Sequence, residues 1–443
     1  MKRGSTRRKF LGSGAVSAAG LTAAGATPAA ADRPQPFRDY PRDRPSAGGP
    51  VGSPTDRGKL VPGLRPPGLP PVAVHGPDLT RLPFVERDGA KEFHLVAEPV
   101  RREFLPNLVM DVWGFNGTMP GPIIEANEGD RVRVIVENRL PEPTSIHWHS
   151  FEVPVSQDGV PGLVQDFIPP GEGLVYEFDL HQNGTFFYHA HVAMQEAMGM
   201  IGLFIVHPRK AHDPVVDQDL ALITQEFQIL PNTSIPNSQG MDFNFLTFNG
   251  RCAPMTTPLV LKLGHRVRLR FVNFSTADHH PIHLHGHTFW VTGTEGGRIP
   301  ETGWIPGNNV LVGVAQARDV EFIANNPGDW IMHCHMFHHT MNHMVSMAGP
   351  MMRVGPGDPR ARIPGFPQNM EGGMAMTTPE DDASRLPRRE ARGMRHDWSH
   401  VKGLSTIVRV LPPDLYDKVM NGLEPLPPGS SVFGPRPRPW RPD

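Results

Sequence analysis

His333-Cys334-His335, with His339 and Met344 shortly after it, is the stretch on which the reading of this chain turns. Three further clusters stand upstream: His147-Trp148-His149, His189-Ala190-His191 and His280-Pro281-Ile282-His283-Leu284-His285. In a strand alternate side chains share a face, so each HxH presents two imidazoles side by side and turns its middle residue the other way. One such pair is ordinary on a polar strand. Four on one chain are not, because crowded imidazoles repel when protonated and cost desolvation when neutral, unless metal ions take up their lone pairs. The clusters point to a multi-metal site.

The segments around these clusters read as strands. Glu92–Val96, Leu108–Phe115, Arg131–Glu137, Leu174–Asp179 and Gly202–Val206 are short, rich in Val, Ile and Phe, and bounded by turn signals. After a break near Pro208–Asp217 the texture returns in Leu220–Phe227, Val260–Leu263, Val267–Asn273, Thr288–Thr292 and Asp319–Ile323. The chain is therefore all-β, with one sandwich over 84–210 and a second over 216–354. No long helical period interrupts them, which excludes bundles and parallel α/β folds. Residues 32–83 form a Pro/Gly-rich arm and 355–443 a C-terminal extension, irregular except for Leu404–Met420, which can hold a strand and a short helix.

Composition narrows the function. The 443 residues include 46 Gly and 50 Pro, so much of the chain is loop. With 43 basic and 45 acidic residues and a net charge of −2, there is no electrostatic footprint for nucleic acid or an anionic membrane. Two Cys cannot build a disulfide framework, whereas 22 His is a high count. Lys2, Arg3, Arg7 and Arg8 precede a weakly apolar run ending in Ala29-Ala30-Ala31, so residues 1–31 read as a signal peptide rather than a membrane anchor. Thr6-Arg7-Arg8-Lys9-Phe10-Leu11 resembles a twin-arginine export motif, which implies a periplasmic or secreted protein.

The last cluster is the most specific. A thiolate, two imidazoles and a distant thioether make the ligand set of a blue-copper centre, with Cys334, His339 and Met344 from one segment and His280 from a separate strand. Zinc would need more thiolates or a closed four-ligand set, and Cys252 is too isolated to complete one. Strand alternation turns Cys334 toward one metal and His333 and His335 toward another, so two covalent paths join the sites.

In this order the four motifs resemble those of the multicopper oxidases. Phe115-Asn116-Gly117-Thr118-Met119-Pro120-Gly121-Pro122, Asp158-Gly159-Val160-Pro161-Gly162, Ile168-Pro169-Pro170-Gly171 and Gly184-Thr185-Phe186-Phe187-Tyr188 extend the likeness, which ends at Met344. The resemblance implies two cupredoxin-like Greek-key β-sandwich domains and a laccase-like enzyme that couples one-electron oxidation of phenols or similar reductants to four-electron reduction of O2 to water. It further implies a type 1 copper on His280, Cys334 and His339 with Met344 axial, a type 2 copper on His147 and His283, and a type 3 pair on His149, His189, His191, His285, His333 and His335. Asp158 takes the place of the family's proton-donating acid near the type 2 copper. Thr340 stands where relatives often carry an acid, which puts that proton route in doubt.

Well-known laccases have three such domains, whereas this chain has room for two. The two-domain relatives close the trinuclear site between domain one of one protomer and domain two of the next, so the resemblance implies a homotrimer. Other readings are a cuprous oxidase, suggested by Met341, Met347, Met351, Met352, Met370, Met374 and Met376, and less favoured ones, a copper nitrite reductase or a copper-storage protein. Cys252 is expected to be a packed, functionally silent thiol. His279, His287, His338 and His343 are expected beside the sites rather than in them, and Trp148 and Phe289 as packing around them.

Overall fold

The computed structural model describes residues 70–342, 388–394 and 401–433, apart from 107, 211, 213, 214, 231 and 423. The leader expected over 1–31, most of the arm, His343 and Met344 lie outside the described residues. No helix among the described residues is long and apolar enough to cross a membrane.

The described chain folds as two β-sandwiches. In the first, one sheet contains Phe84–Arg87, Ala90–Leu105, Leu108–Phe115, Arg131–Asn138 and Gly173–Asp179. Facing it is a four-stranded sheet ordered Gly121–Asn127, Ile201–His207, Gly184–Ala190, Ile146–His149. The last two strands are antiparallel with His147 opposite His189 and Trp148 opposite Tyr188. Period 2 then sorts the faces: Trp148, Tyr188, Phe186 and Phe204 enter the core, and the histidines look outward. Burying each of these aromatic rings contributes on the order of 2–3 kcal/mol, so the core side fixes which face the imidazoles take.

The second sandwich pairs a seven-stranded sheet, built on Gln218–Phe227, Arg266–Asn273, Gln316–Ile323 and Phe289–Thr294, with a five-stranded sheet. The order in the smaller sheet is Leu259–Lys262, Ser405–Leu411, Gly328–Cys334, His280–Leu284, Asn309–Val312. Here Ile282 faces Cys334 and His283 faces His333 across the ladder. Cys334 lies in the core with Met332, Leu284 and Leu404.

The strand and short helix expected within Leu404–Met420 are present, as Ser405–Leu411 and Pro413–Met420, and the strand carries the second sandwich past the boundary at 354 that composition suggests. Ser405–Leu411 is a central strand, parallel to Leu259–Lys262 and antiparallel to Gly328–Cys334. Its β-branched run is buried at every position. Arg409, also buried, gives Nε–H to Asp329 Oδ1 at 2.8 Å and Nη1–H to the Arg392 carbonyl at 2.8 Å. The residues just before this strand brace the loop that carries His339: Leu404 donates its N–H to the His339 carbonyl and accepts from Cys334 N–H, at 2.8 and 2.9 Å. Gly403 is required there, since at φ +65° a Cβ would stand 2.1 Å from the His339 carbonyl oxygen.

The two sandwiches pack on each other through Phe187, Ile201, Leu203 and Ile205 of the first and Ala221, Ile223, Val272 and Phe274 of the second. Thr185 donates its hydroxyl to Asp319 at 2.6 Å and accepts from Arg270 at 2.6 Å across the same interface. The end of the arm joins both, with His75 N–H on the Asp219 carbonyl and Leu82 N–H on that of Ile123.

A chain ending at residue 400 removes the central strand and the brace on the loop that carries His339. Calorimetry of the truncated protein is expected to lose the unfolding transition of the second sandwich; an unchanged thermogram would refute the strand's structural role.

Candidate metal centre

Four imidazoles converge on the outer face of the first sandwich. The His147 ring lies 5.6, 5.3 and 5.5 Å, centroid to centroid, from His149, His189 and His191. Backbone carbonyls set the tautomers, because a carbonyl can only accept. His147 Nδ1–H donates to the Asp158 carbonyl and His189 Nδ1–H to that of Ala190, both at 2.8 Å, which leaves Nε2 of each free. The turn that delivers Asp158 needs Gly159: at φ +87° a Cβ there would sit 1.7 Å from the Ile146 carbonyl oxygen. The Asp158 carboxylate itself lies 3.5 Å from His147 Nδ1, beside the cluster.

A matching quartet stands on the second sandwich. His283 has ring centroids of His285, His333 and His335 at 4.7, 5.7 and 5.5 Å. Its Nδ1–H is held by the Asn308 carbonyl at 2.7 Å, and that of His333 by the Cys334 carbonyl at 2.8 Å. Nitrogen pairs face each other at 3.3 Å, His149 Nδ1 to His189 Nε2, and at 3.2 Å, His285 Nε2 to His333 Nε2. One ion at ~2.0–2.1 Å from each nitrogen, an ordinary metal–imidazole distance, spans such a pair. Among the described residues no ring contact joins the two quartets, and His285 and His335 are exposed.

Behind the second quartet, inside the sandwich, Cys334 Sγ lies 3.7 Å from His280 Nδ1 and 3.4 Å from His339 Nδ1, with all three side chains buried. Ser275 Oγ, 2.6 Å from His280 Nε2, turns the other ring nitrogen to the sulfur. His339 Nε2 stands 3.3 Å from Asp278 Oδ2. The trigonal His2Cys set fits copper. Sequence reasoning missed Ser275 and Asp278; Asp278 is near His280 in the chain, whereas the reach of Ser275 to His280 is visible only in three dimensions.

The remaining predicted residues fall beside the sites. His279 Nδ1 accepts the Val314 N–H at 3.0 Å, and His287 is buried with its Nδ1 toward the His285 carbonyl at 3.2 Å. The His338 ring sits 4.3 Å from that of His339. Thr340 bonds the Phe337 carbonyl and brings no carboxylate to the loop. Cys252 lies in a core cluster with Phe104, Phe227 and Met255, far in sequence from any ligand motif.

Burial sets the charge of these groups without metal. His149 falls to about 3 through burial and its neighbours His189 and His147, and His280 to about 3 through burial and His339. Burial also lowers His147, His285 and His333. The Cys334 thiol is pushed up to about 12, again chiefly by burial. His147, His149, His280, His285 and His333 are therefore held as neutral nitrogens, beside a thiol that only a cation would deprotonate.

Family models described as multicopper oxidase match residues 98–211 and 229–348. The chain belongs to the multicopper oxidases. That membership implies copper, and the donors above suit it. The matched residues, 98–348, hold all of the histidine motifs, and the chain is 40% identical over 112 residues to "Copper resistance protein A" of Escherichia coli, covering 25% of this chain and 18% of that one. It is 29% identical to "Multicopper oxidase MmcO" of Mycobacterium tuberculosis, covering 51% and 50%. Among solved structures, the blue copper oxidase of Nitrosomonas europaea superposes with a TM-score of 0.52 at 33% identity, covering 57% of this multicopper oxidase and 81% of that chain. The chain thus spans half or less of the length of these two curated relatives.

The imidazole shifts give a pH dependence. Histidines whose folded pKa lies below the unfolded value of about 6.5 bind their proton more readily when unfolded, so stability falls as pH drops from about 6.5 toward 3. The copper-free protein is expected to show a urea midpoint that declines between pH 6.5 and 4, and copper loading is expected to hold it up, since ligation needs the neutral ring. A flat midpoint in the copper-free form would contradict the buried, neutral assignment.

Proposed function

We propose that this multicopper oxidase is an oxygen-reducing, laccase-like enzyme with the full copper complement of its family. In that reading His280, Cys334 and His339, with Met344, hold a type 1 copper. His147 and His283 hold a type 2 copper, and His149, His189, His191, His285, His333 and His335 hold a type 3 pair. The coppers supply one-electron acceptance at the cysteine-bearing site and four-electron reduction of O2 to water at the eight-histidine site.

One observation carries the reading: Cys334 points inward to His280 and His339 while its neighbours His333 and His335 point outward into the second quartet. The residues on either side of one thiol are thus ligands of a different site, joined to it by single peptide links. The carbonyls of Asp158, Ala190, Asn308 and Cys334 hold the imidazoles in place, so the ligand set is ordered before any reductant arrives. Asp158 is proposed to move protons at the type 2 end, its carboxylate lying 3.5 Å from His147 Nδ1.

The separation of the quartets supports a head-to-tail homotrimer. Each is half of an eight-nitrogen site, and a ring that apposes domain one of one protomer to domain two of the next would complete three of them. Export by the twin-arginine route to the periplasm or beyond is part of the same proposal. Copper-loaded protein is expected to run as a trimer by light scattering and to consume O2 with a phenol. Cys334→Ser is expected to remove the blue absorption and one copper per chain and to abolish uptake while the trimer persists. A fully active monomer would sink the ring, and a blue Cys334→Ser protein would sink the assignment.

A cuprous-oxidase reading is favoured by the name of the Escherichia coli relative and by the methionines after the type 1 motif. Met370, Met374 and Met376 changed together to Leu are expected to slow Cu(I) oxidation several-fold and spare phenol oxidation; equal effects on both would count against it. Substitution is the proper test, because truncation also deletes the strand Ser405–Leu411.

A further inference from the structure

The two sandwiches repeat one plan, and the positions at which the copies differ are informative. The strands Arg131–Asn138 and Arg266–Asn273 both begin Arg-Val-Arg, and each pairs parallel with one neighbour and antiparallel with another. Both end in a buried Asn. In each, the side-chain Oδ1 accepts the backbone N–H of the second residue after it, Leu140 at 2.9 Å and Ser275 at 2.8 Å. Nδ2 donates to a carbonyl of the loop that follows, Glu142 at 3.0 Å and Asp278 at 2.9 Å. It also donates to a facing segment, the Ile168 carbonyl at 2.8 Å and the Val312 carbonyl at 3.0 Å. Ile168 bridges Thr144, and Val312 pairs with His280. The amide is thus a clamp on the approach to each histidine strand. In the second sandwich Glu226 Oε1 tightens the same loop, accepting the N–H groups of Ala277 and Asp278 at 2.5 and 3.2 Å.

Aligned on these bonds, Thr144-Ser145-Ile146-His147-Trp148-His149 matches His280-Pro281-Ile282-His283-Leu284-His285. Ala190, opposite Ile146, matches Cys334, opposite Ile282. The outer histidines therefore recur in both copies and the inner ligands do not: Thr144 replaces His280 and Ala190 replaces Cys334. At the position after the clamp, the first copy has Leu140 where the second has Ser275. The hydroxyl accompanies the inner imidazole, whereas the clamp is present with or without it. Ser275 is itself buried, with Oγ 2.6 Å from His280 Nε2, and His280 Nδ1 lies 3.7 Å from Cys334 Sγ. A ring that ligates through Nδ1 carries its proton on Nε2 and donates it to that oxygen.

We propose that Ser275 is a positioning residue for the cysteine-bearing centre. Delivered by the Asn273 clamp, its hydroxyl fixes the rotation of His280 and so sets the affinity and potential of the copper held there, an inference that rests on the functional reading above. The torsion that spins an imidazole is broad and soft. An acceptor on the far nitrogen removes that freedom and makes the ligating nitrogen a stronger donor, which favours the oxidised ion.

The test follows the blue band of copper-loaded, full-length protein, which reports the thiolate-bound copper alone, with melting temperature measured beside it. Ser275→Ala is expected to weaken that copper about 10- to 100-fold in chelator competition, the range for losing a group that orients a metal-bound imidazole. It is also expected to raise the potential in a redox titration while leaving the melting temperature near the wild type. Asn273→Ala, or Asn273→Ser should the alanine variant fail to fold, is expected to shift affinity and potential the same way and to melt lower. Combined with Ser275→Ala, it should shift affinity by less than the sum, since Asn273 acts through Ser275. Asn138→Ala removes the equivalent clamp where no inner ligand follows, and is expected to lower the melting temperature without moving the affinity or potential of the blue centre. A Ser275→Ala protein with wild-type affinity and potential, an additive double variant, or an Asn138→Ala protein shifted as far as the Asn273 variant would each overturn the inference and leave the oxidase reading intact. Wild-type protein with no blue centre would overturn both.

Discussion

The pairing of His280–Leu284 with Gly328–Cys334 is the constraint on which both candidate centres depend. Its register sets Ile282 against Cys334 and His283 against His333. Because side chains alternate, that single register sends the thiol and His280 inward and His283, His285, His333 and His335 outward. A slip of one residue would reverse every one of those directions and bury the outer imidazoles among Leu284, Met332 and Val408. The core therefore selects the metal geometry: the apolar residues that interleave with the ligands forbid any other alignment. The strand Ser405–Leu411, hydrogen-bonded along Gly328–Cys334, adds a second ladder that resists the same slip.

Burial has opposite consequences at the two kinds of site. Around Cys334 everything is closed, so a thiolate is costly until a cation arrives, and an ion once bound sees a low-dielectric, donor-matched pocket. The outer quartets are half open. His285 and His335 stand exposed and remain free to meet ligands from another molecule, whereas His149 and His189 of the first quartet are more deeply set. Phe337 is 85% exposed, close in the chain to His335, and Leu163 is 78% exposed after the Asp158 turn. Exposed apolar residues near the quartets accord with faces that become covered in the proposed ring.

Much of this was legible in the sequence because it rests on period 2. The HxH motifs, the inward Cys334 and strands such as Leu108–Phe115 follow from alternation, and Trp148 and Phe289 fall in the cores where alternation puts them. Less legible was whatever depends on partners distant in sequence. Ser405–Leu411 is buried at every position yet follows a stretch dominated by Pro, Gly and charge, so its place between Leu259–Lys262 and Gly328–Cys334 could not be read from local pattern. Glu226 gives no local sign that it reaches the loop before His280, because a buried acid in a strand and an exposed one look the same in a sequence. The choice of ring nitrogen was equally hidden: His280 and His339 offer Nδ1 to the sulfur, whereas His147 and His283 spend Nδ1 on carbonyls, and only backbone placement decides this.

The interface between the two sandwiches bears on assembly as well as on stability. The His189 ring packs 4.8 Å from Phe274, so the first quartet is braced by the second sandwich of the same chain. The contact is reinforced by the buried set of Arg270, Asp319 and Thr185, whose desolvation cost makes it a weak source of net stability but whose directional bonds admit one relative orientation. A head-to-tail ring closes only if the angle between the two faces of a protomer is fixed, since a hinge would allow open chains of the same contacts. The apolar contact between the sandwiches excludes water, and the Thr185 hydrogen bonds to Asp319 and Arg270 fix the angle. In the proposed trimer the same interface that positions His189 within one chain therefore also determines whether His283 and His333 of the next can reach it.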